Sequence, residues 1–288
     1  MRKPNRKQLT LDIAKNMFYS GTMRFCSDGD FRTYKSEYEV SGLITDTVRS
    51  HKPHPDVNYR INTSGVIGQD FIHGAKILTM GCSVTVGIGV GDEFAWPNIV
   101  RQKTGITLNS VAFPGASIPQ IASAFFEYML KYGSPEYLLI LVPEITRQWI
   151  YVDGQPYRQR LSWDEDAGCF WSHDGDGFLE KNKNGQNLLL KACIQSSLSS
   201  IIQISNACKA MGIKLAFYSW DDADNEVFEF TKIDGYIKEP ENAFDKAKYE
   251  PNEKSQSFWE IGVDSRHIGA LGQIKYSERF LNFLNSAS

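Results

Sequence analysis

The sequence predicts an α/β domain built on a parallel sheet with helices on both faces. Three observations carry this. Short apolar runs at 77–80, 106–112, 137–142 and 214–220 read as buried strands. Helical patterns separate them at 93–103, 118–132 and 186–211. Strands joined by helices need crossover connections, and crossovers make neighbouring strands parallel. The chain's 288 residues suffice for one large core of this kind or for two small ones.

Residues 1–70 are mixed and polar with weak periodicity, and are read as an N-terminal extension packed on the core, with short helices and a hairpin-like segment. The main domain is then 71–288. Its first strand, Ile77 to Met80, ends in Gly81 and opens a turn containing Gly87, Gly89 and Gly91. The helix at 93–103 stops at Gly105. The second strand ends at Pro114-Gly115. Ser117 suits the N-cap of the helix at 118–132, which Gly133 closes. The third strand, 137–142, is apolar throughout. An insertion at about 143–185, rich in Trp, Asp and Gly and without helical period, suggests hairpins. The helical pattern at 186–211 is the longest in the chain and meets Gly212. After the fourth strand comes a polar stretch, 221–262, and a final amphipathic helix at 268–284.

Composition removes several function classes. With 31 basic and 34 acidic residues, no basic face is available for nucleic acid, and no Lys/Arg run points to a membrane surface. No stretch reaches the roughly 18 apolar residues of a membrane span. The basic N-terminus lacks the apolar run of a secretory signal. A soluble protein, cytoplasmic or virion-associated, is expected. The five cysteines are odd in number and never at C-x-x-C spacing, which argues against a disulfide framework and a structural zinc site. Cys193 and Cys208 fall in an apolar helical stretch and read as core residues. Asp174-Gly-Asp176-Gly177 and Asp221-Asp-Ala-Asp224 have the flavour of calcium loops but lack the rest of the motif, and read as solvated turns. No metal or other cofactor is expected.

In parallel sheets ligands gather outside the carboxyl ends of the strands, so the turns after strands are the informative positions. The Gly81–Gly91 turn fails as a dinucleotide loop, because Asp92 or Phe94 stands where the third Gly is needed. It fails as a P-loop, lacking Gly-Lys-Ser/Thr, and as a G-x-S-x-G elbow, because Thr85 takes the second Gly position. What remains is Ser83 at a strand end between glycines, where its N–H can face a developing oxyanion.

A serine nucleophile needs a base. Of His51, His54, His73, His173 and His267, only His267 stands where strand-end groups converge, at the mouth of the last helix. Asp264, three residues earlier, can orient the imidazole so that Nε2 takes the serine proton. The alternative is that Asp264 caps the final helix and His267 belongs to its first turn. Trp149, Trp163 and Trp171, with Tyr151, Tyr157 and Phe170, cluster in the insertion. They suit either the face of a sugar ring or a small core of the insertion itself.

Gly81-Cys-Ser83-Val-Thr85-Val-Gly87 resembles the first block of the SGNH/GDSL hydrolases, with Cys82 in place of an Asp. Asp264-Ser-Arg-His267 resembles their last block, and Asn109 to Ser117 their second, whose glycine is here Gly115. Arg60 to Gly65 resembles a lead-in segment of the family, and the Gly-Cys-Ser and Pro-Glu-x-Thr-Arg runs resemble phage-encoded members. The resemblance spans about 58–284. It implies a flavodoxin-like three-layer α/β/α fold and ester hydrolysis by Ser83, with His267 as base and Asp264 as its orienter. It also implies an oxyanion hole made from the N–H groups of Ser83 and Gly115. Cys82 then packs inward rather than reacting.

The family's third block supplies an Asn to the oxyanion hole. Here the third strand is followed by Pro143-Glu-Ile-Thr-Arg147, where Thr146 or Arg147 could donate in its place. Two readings follow. One is an esterase acting on a small-molecule or glycan ester, such as an O-acetylated carbohydrate. The other is a weakly active or non-catalytic glycan-binding or structural protein on the same scaffold, as a homo-oligomer or part of a virion.

Overall fold

The computed structural model describes residues 62, 64, 66–152, 155–164, 169–172, 183–220, 222–238 and 267–287. The expected extension up to 61, Asp264, His51, His54, His173 and the run at 174–177 lie outside the described residues.

Four strands form a parallel sheet: β1 (Ile77–Gly81), β2 (Leu108–Ala112), β3 (Tyr137–Val142) and β7 (Lys214–Ser219). Their order is β2-β1-β3-β7. Gly81 stands opposite Ala112 on one side and Leu141 on the other, and Val142 stands opposite Ser219. A short parallel bridge from Phe217 to Tyr236 extends the sheet past β7.

The strands are apolar throughout because both faces are covered. Ile77, Leu139, Leu141 and Tyr218 pack with Trp96 and Val100 of α2 (Trp96–Thr104) and with Tyr276, Phe280 and Leu284 of α6 (Ala270–Ala287). Met80, Ile140, Val142 and Phe217 face the other way. They pack with Phe125 of α3 (Ile118–Tyr132), Ile201 and Ile204 of α4 (Lys183–Met211), and Phe228 of α5 (Asp222–Thr231). The layers are α/β/α, as expected.

Several boundaries differ from the sequence reading for physical reasons. Residues Asp92–Phe94 form a 3-10 turn, and α2 begins only at Trp96, where Pro97 favours the first helical turn. Helix α3 has the expected bounds, but Ser117 makes no side-chain capping bond. Helix α5 occupies part of the stretch read as a polar connection. The insertion carries an antiparallel sheet, β4 (Gln148–Val152), β5 (Gln155–Asp164) and β6 (Cys169–Ser172), in the order β4-β5-β6. Among the described residues no helix is long and apolar enough to cross a membrane, and no cluster of three metal-ligating side chains occurs.

Cys82, Cys193 and Cys208 are buried free thiols. Burial pushes the Cys193 thiol up to about 11 and that of Cys208 up to about 12. Because the thiolate is the reactive form, alkylation at pH 8 should spare both in the native protein and modify both in denaturant. Peptide mass spectrometry reads the outcome, and native modification of Cys208 contradicts this packing.

Candidate functional site

The strand order places a switch point between β1 and β3. From β1 the chain goes out to β2, then returns to β3 on the other side of β1. The turns after these strands are neighbours because their last residues are in register.

The turn after β1 is shaped by side-chain room and by backbone sign. A Cβ on Gly81 would lie 2.0 Å from Thr85 Oγ1 and 2.7 Å from the Leu141 carbonyl oxygen. Only hydrogen fits there, and Thr85 folds over the gap to accept the Trp96 indole N–H at 3.2 Å. Gly87 ends the single-turn helix α1 (Ser83–Val86) at φ 79°, and a Cβ there would lie 2.6 Å from that of Ala95. So Gly81 gives clearance, whereas Gly87 gives both clearance and a left-handed turn.

Ser83 is the first residue of α1 and is partly exposed. Its carbonyl accepts from the N–H groups of Gly87 and Ile88, both at 3.1 Å. Helix geometry gives its own N–H no intrahelical acceptor. Cys82 is fully buried in a cluster with Phe113, Val142 and Ile145, so the turns after β1, β2 and β3 share one apolar floor.

After β2, the Phe113 N–H donates to the Gly81 carbonyl at 3.2 Å, which joins this turn to the Ser83 turn. Gly115 follows, buried and at φ 73°. After β3, the Arg147 guanidinium pairs with the Glu144 carboxylate, and the Arg147 N–H donates to the Glu144 carbonyl at 3.0 Å. Thr146 lies between them and is partly exposed.

The expectation of a solvated turn at Asp221 to Asp224 is corrected for Asp224; Asp221 lies outside the described residues. Asp224 lies in the first turn of α5 and is 6% exposed. Its carboxylate accepts the Ile145 N–H at 2.8 Å and the Ser219 hydroxyl at 3.3 Å. Asn225 binds both backbone groups of Ser219, at 2.9 and 2.8 Å. The signal was present in sequence: acidic residues suit a helix N-terminus, and Val227 and Phe228 supply its apolar side.

The alternative in which His267 belongs to the first turn of the last helix does not hold, and the histidine stands just before that helix. Helix α6 begins at Ala270, with the Gln273 N–H donating to the Gly269 carbonyl. The capping position is therefore 269, not 264, and His267 precedes the helix, partly exposed. Ile268 packs closely over Gly272. Gln273, fully buried, donates to the Val84 carbonyl at 3.0 Å and accepts the Trp96 N–H at 3.0 Å. This ties the start of α6 to the residue after Ser83.

In the register of the β4-β5-β6 sheet Trp149 stands opposite Arg160, Trp163 opposite Phe170 and Trp171 opposite Ser162.

No family model matches the chain, and no curated protein matches it. Among solved structures it is similar to psychrotrophic esterase EstA from Pseudoalteromonas sp., with 12% identity over 73% of this chain and 96% of that one, at a TM-score of 0.43. It is also similar to an acetyl xylan esterase from Butyrivibrio proteoclasticus, with 10% identity over 77% of this chain and 66% of that one, at a TM-score of 0.40. At these identities no residue role is carried over from either.

Thr85→Val should leave the Trp96 indole N–H buried without its acceptor and cost about 1–3 kcal/mol, read as a lower midpoint in urea. Gly81→Ala should be worse, because the methyl group meets backbone as well as Thr85. An unchanged midpoint in both variants contradicts the described turn.

Proposed function

We propose that this protein is a serine ester hydrolase of the SGNH type. The observation that supports it most is local. Ser83 opens α1 at the carboxyl end of β1, and Gln273, in the first turn of the helix that follows His267, bonds to Val84. A nucleophile and a histidine separated by most of the chain are thus carried on segments tied to each other.

In this reading Ser83 Oγ attacks an ester carbonyl while His267 Nε2 takes its proton, and Asp264 holds the imidazole tautomer. The tetrahedral oxyanion is held by the N–H groups of Ser83 and Gly115. The turn after β3 supplies a third donor, Thr146 or Arg147. His267 then gives its proton to the departing alcohol, leaving an acyl group on Ser83. Water repeats the sequence and frees the acid. No cofactor takes part. O-acyl groups on a carbohydrate suit the aromatic insertion, with Trp149, Trp163 and Trp171 as the candidate contacts for a sugar ring.

A second reading keeps the scaffold and drops the catalysis, leaving a glycan-binding or virion component. It is favoured by the pairing of Arg147 with Glu144, which engages a cation in the turn where an oxyanion donor is wanted.

A fluorophosphonate probe and p-nitrophenyl acetate separate the two. The hydrolase reading expects labelling at Ser83 and turnover that falls roughly 10³-fold or more in Ser83→Ala and in His267→Ala. No labelling of Ser83, with turnover unchanged in Ser83→Ala, favours the binding protein.

A further inference from the structure

Asp224 does more than cap a helix. The turn from Val142 to Arg147 lies beside the Ser83 turn, because Gly81 and Leu141 are in register. Within it Glu144 and Arg147 are joined through side chain and backbone. The Ile145 N–H ties it to Asp224 across 79 residues of sequence, beside the core packing of Val142 and Ile145. The carboxylate is in turn held by Ser219 Oγ, which also lies 3.2 Å from the Val142 carbonyl. Asn225 locks Ser219 by its backbone. Two groups, the Ile145 N–H in the turn after β3 and the Ser219 hydroxyl at the end of β7, therefore converge on one buried carboxylate of α5.

A buried carboxylate is an expensive way to satisfy one backbone N–H. An apolar side chain with a rearranged loop would fill the same space. What the carboxylate adds is a fixed direction for Ile145 N–H, and so a fixed path for Thr146 and Arg147.

We infer that Asp224 is a positioning residue for the reaction, setting the turn after β3 so that its donor reaches the oxyanion at Ser83. This rests on the hydrolase reading. Asp224 touches no substrate. It acts through Ile145, and its loss lets the donor drift. A misplacement of about 1 Å at a reacting centre can cost roughly 10²-fold in rate.

The test compares Asp224→Ala, Asp224→Asn and Ser219→Ala in the full chain. Asn keeps an oxygen for the Ile145 N–H and can donate to Ser219 Oγ. Three readouts are taken: the rate of Ser83 labelling by fluorophosphonate, kcat and KM for p-nitrophenyl acetate, and hydrogen exchange of the peptide spanning 143–147.

The expected result is faster exchange at 143–147 in Asp224→Ala, with labelling and kcat down roughly 10- to 10²-fold and KM little changed. Asp224→Asn recovers most of the loss, and Ser219→Ala falls between. If Asp224→Ala does not fold, the same ranking of wild type, Asp224→Asn and Ser219→Ala carries the test. If exchange rises while labelling and kcat stay at the wild-type level, the positioning role is overturned and the hydrolase stands. Unchanged exchange in every variant overturns it as well. If wild-type Ser83 is not labelled at all, the hydrolase reading fails and the positioning role falls with it.

Discussion

Gln273 is sealed from water, and its carboxamide has two partners it cannot exchange: the Val84 carbonyl, to which it donates, and the Trp96 N–H, from which it accepts. The Trp96 N–H, buried without it, would cost about 1–3 kcal/mol. The side chain therefore does what apolar packing cannot, because apolar contacts tolerate sliding and a two-ended amide does not. Phe280, Tyr276 and Leu284 hold α6 against the sheet. Tyr218 adds a bond from its hydroxyl to the Tyr276 carbonyl, with the Arg279 guanidinium over its ring. Gln273 fixes the helix along its own axis, and so fixes where the segment bearing His267 enters.

The same logic repeats around the strand ends. Thr85 over Gly81, bonded to Trp96, sets the Ser83 turn from below. The Phe113 N–H on the Gly81 carbonyl sets the Gly115 turn beside it. Asp224 sets the turn after β3. Each restraint is a polar contact between separate segments, laid over an apolar floor that includes Cys82, Phe113, Val142 and Ile145. These directed bonds join the strand-end segments, as a reacting centre there would require.

Those directed bonds explain what could and could not be read from sequence. β3 was legible because six buried residues in a row leave a continuous apolar run, and α3 because its Gly and capping position bracket a clean period. The Ser83 turn was legible from glycine spacing, although the reasons differ at its two ends. Helix α5 was missed because its first turn is acidic, and in sequence an acidic turn and a solvated loop look alike. Asp224's burial depends on Ile145, and Gln273's role on Val84, 189 residues away. No local pattern encodes such partners. The start of α6 was placed too early because Ile268 continues its apolar pattern, whereas in three dimensions that residue packs back over Gly272.

If Ser83 is the nucleophile, four segments meet at one reacting centre: the turns after β1, β2 and β3, and the approach to α6. A crystal structure of the protein phosphonylated at Ser83 tests this most directly. The phosphonyl oxygen is expected within about 3 Å of the Ser83 and Gly115 N–H groups and of a donor from 143–147, with His267 Nε2 facing the leaving-group side. A phosphonyl oxygen turned to solvent, or an imidazole directed away from Ser83, would contradict it.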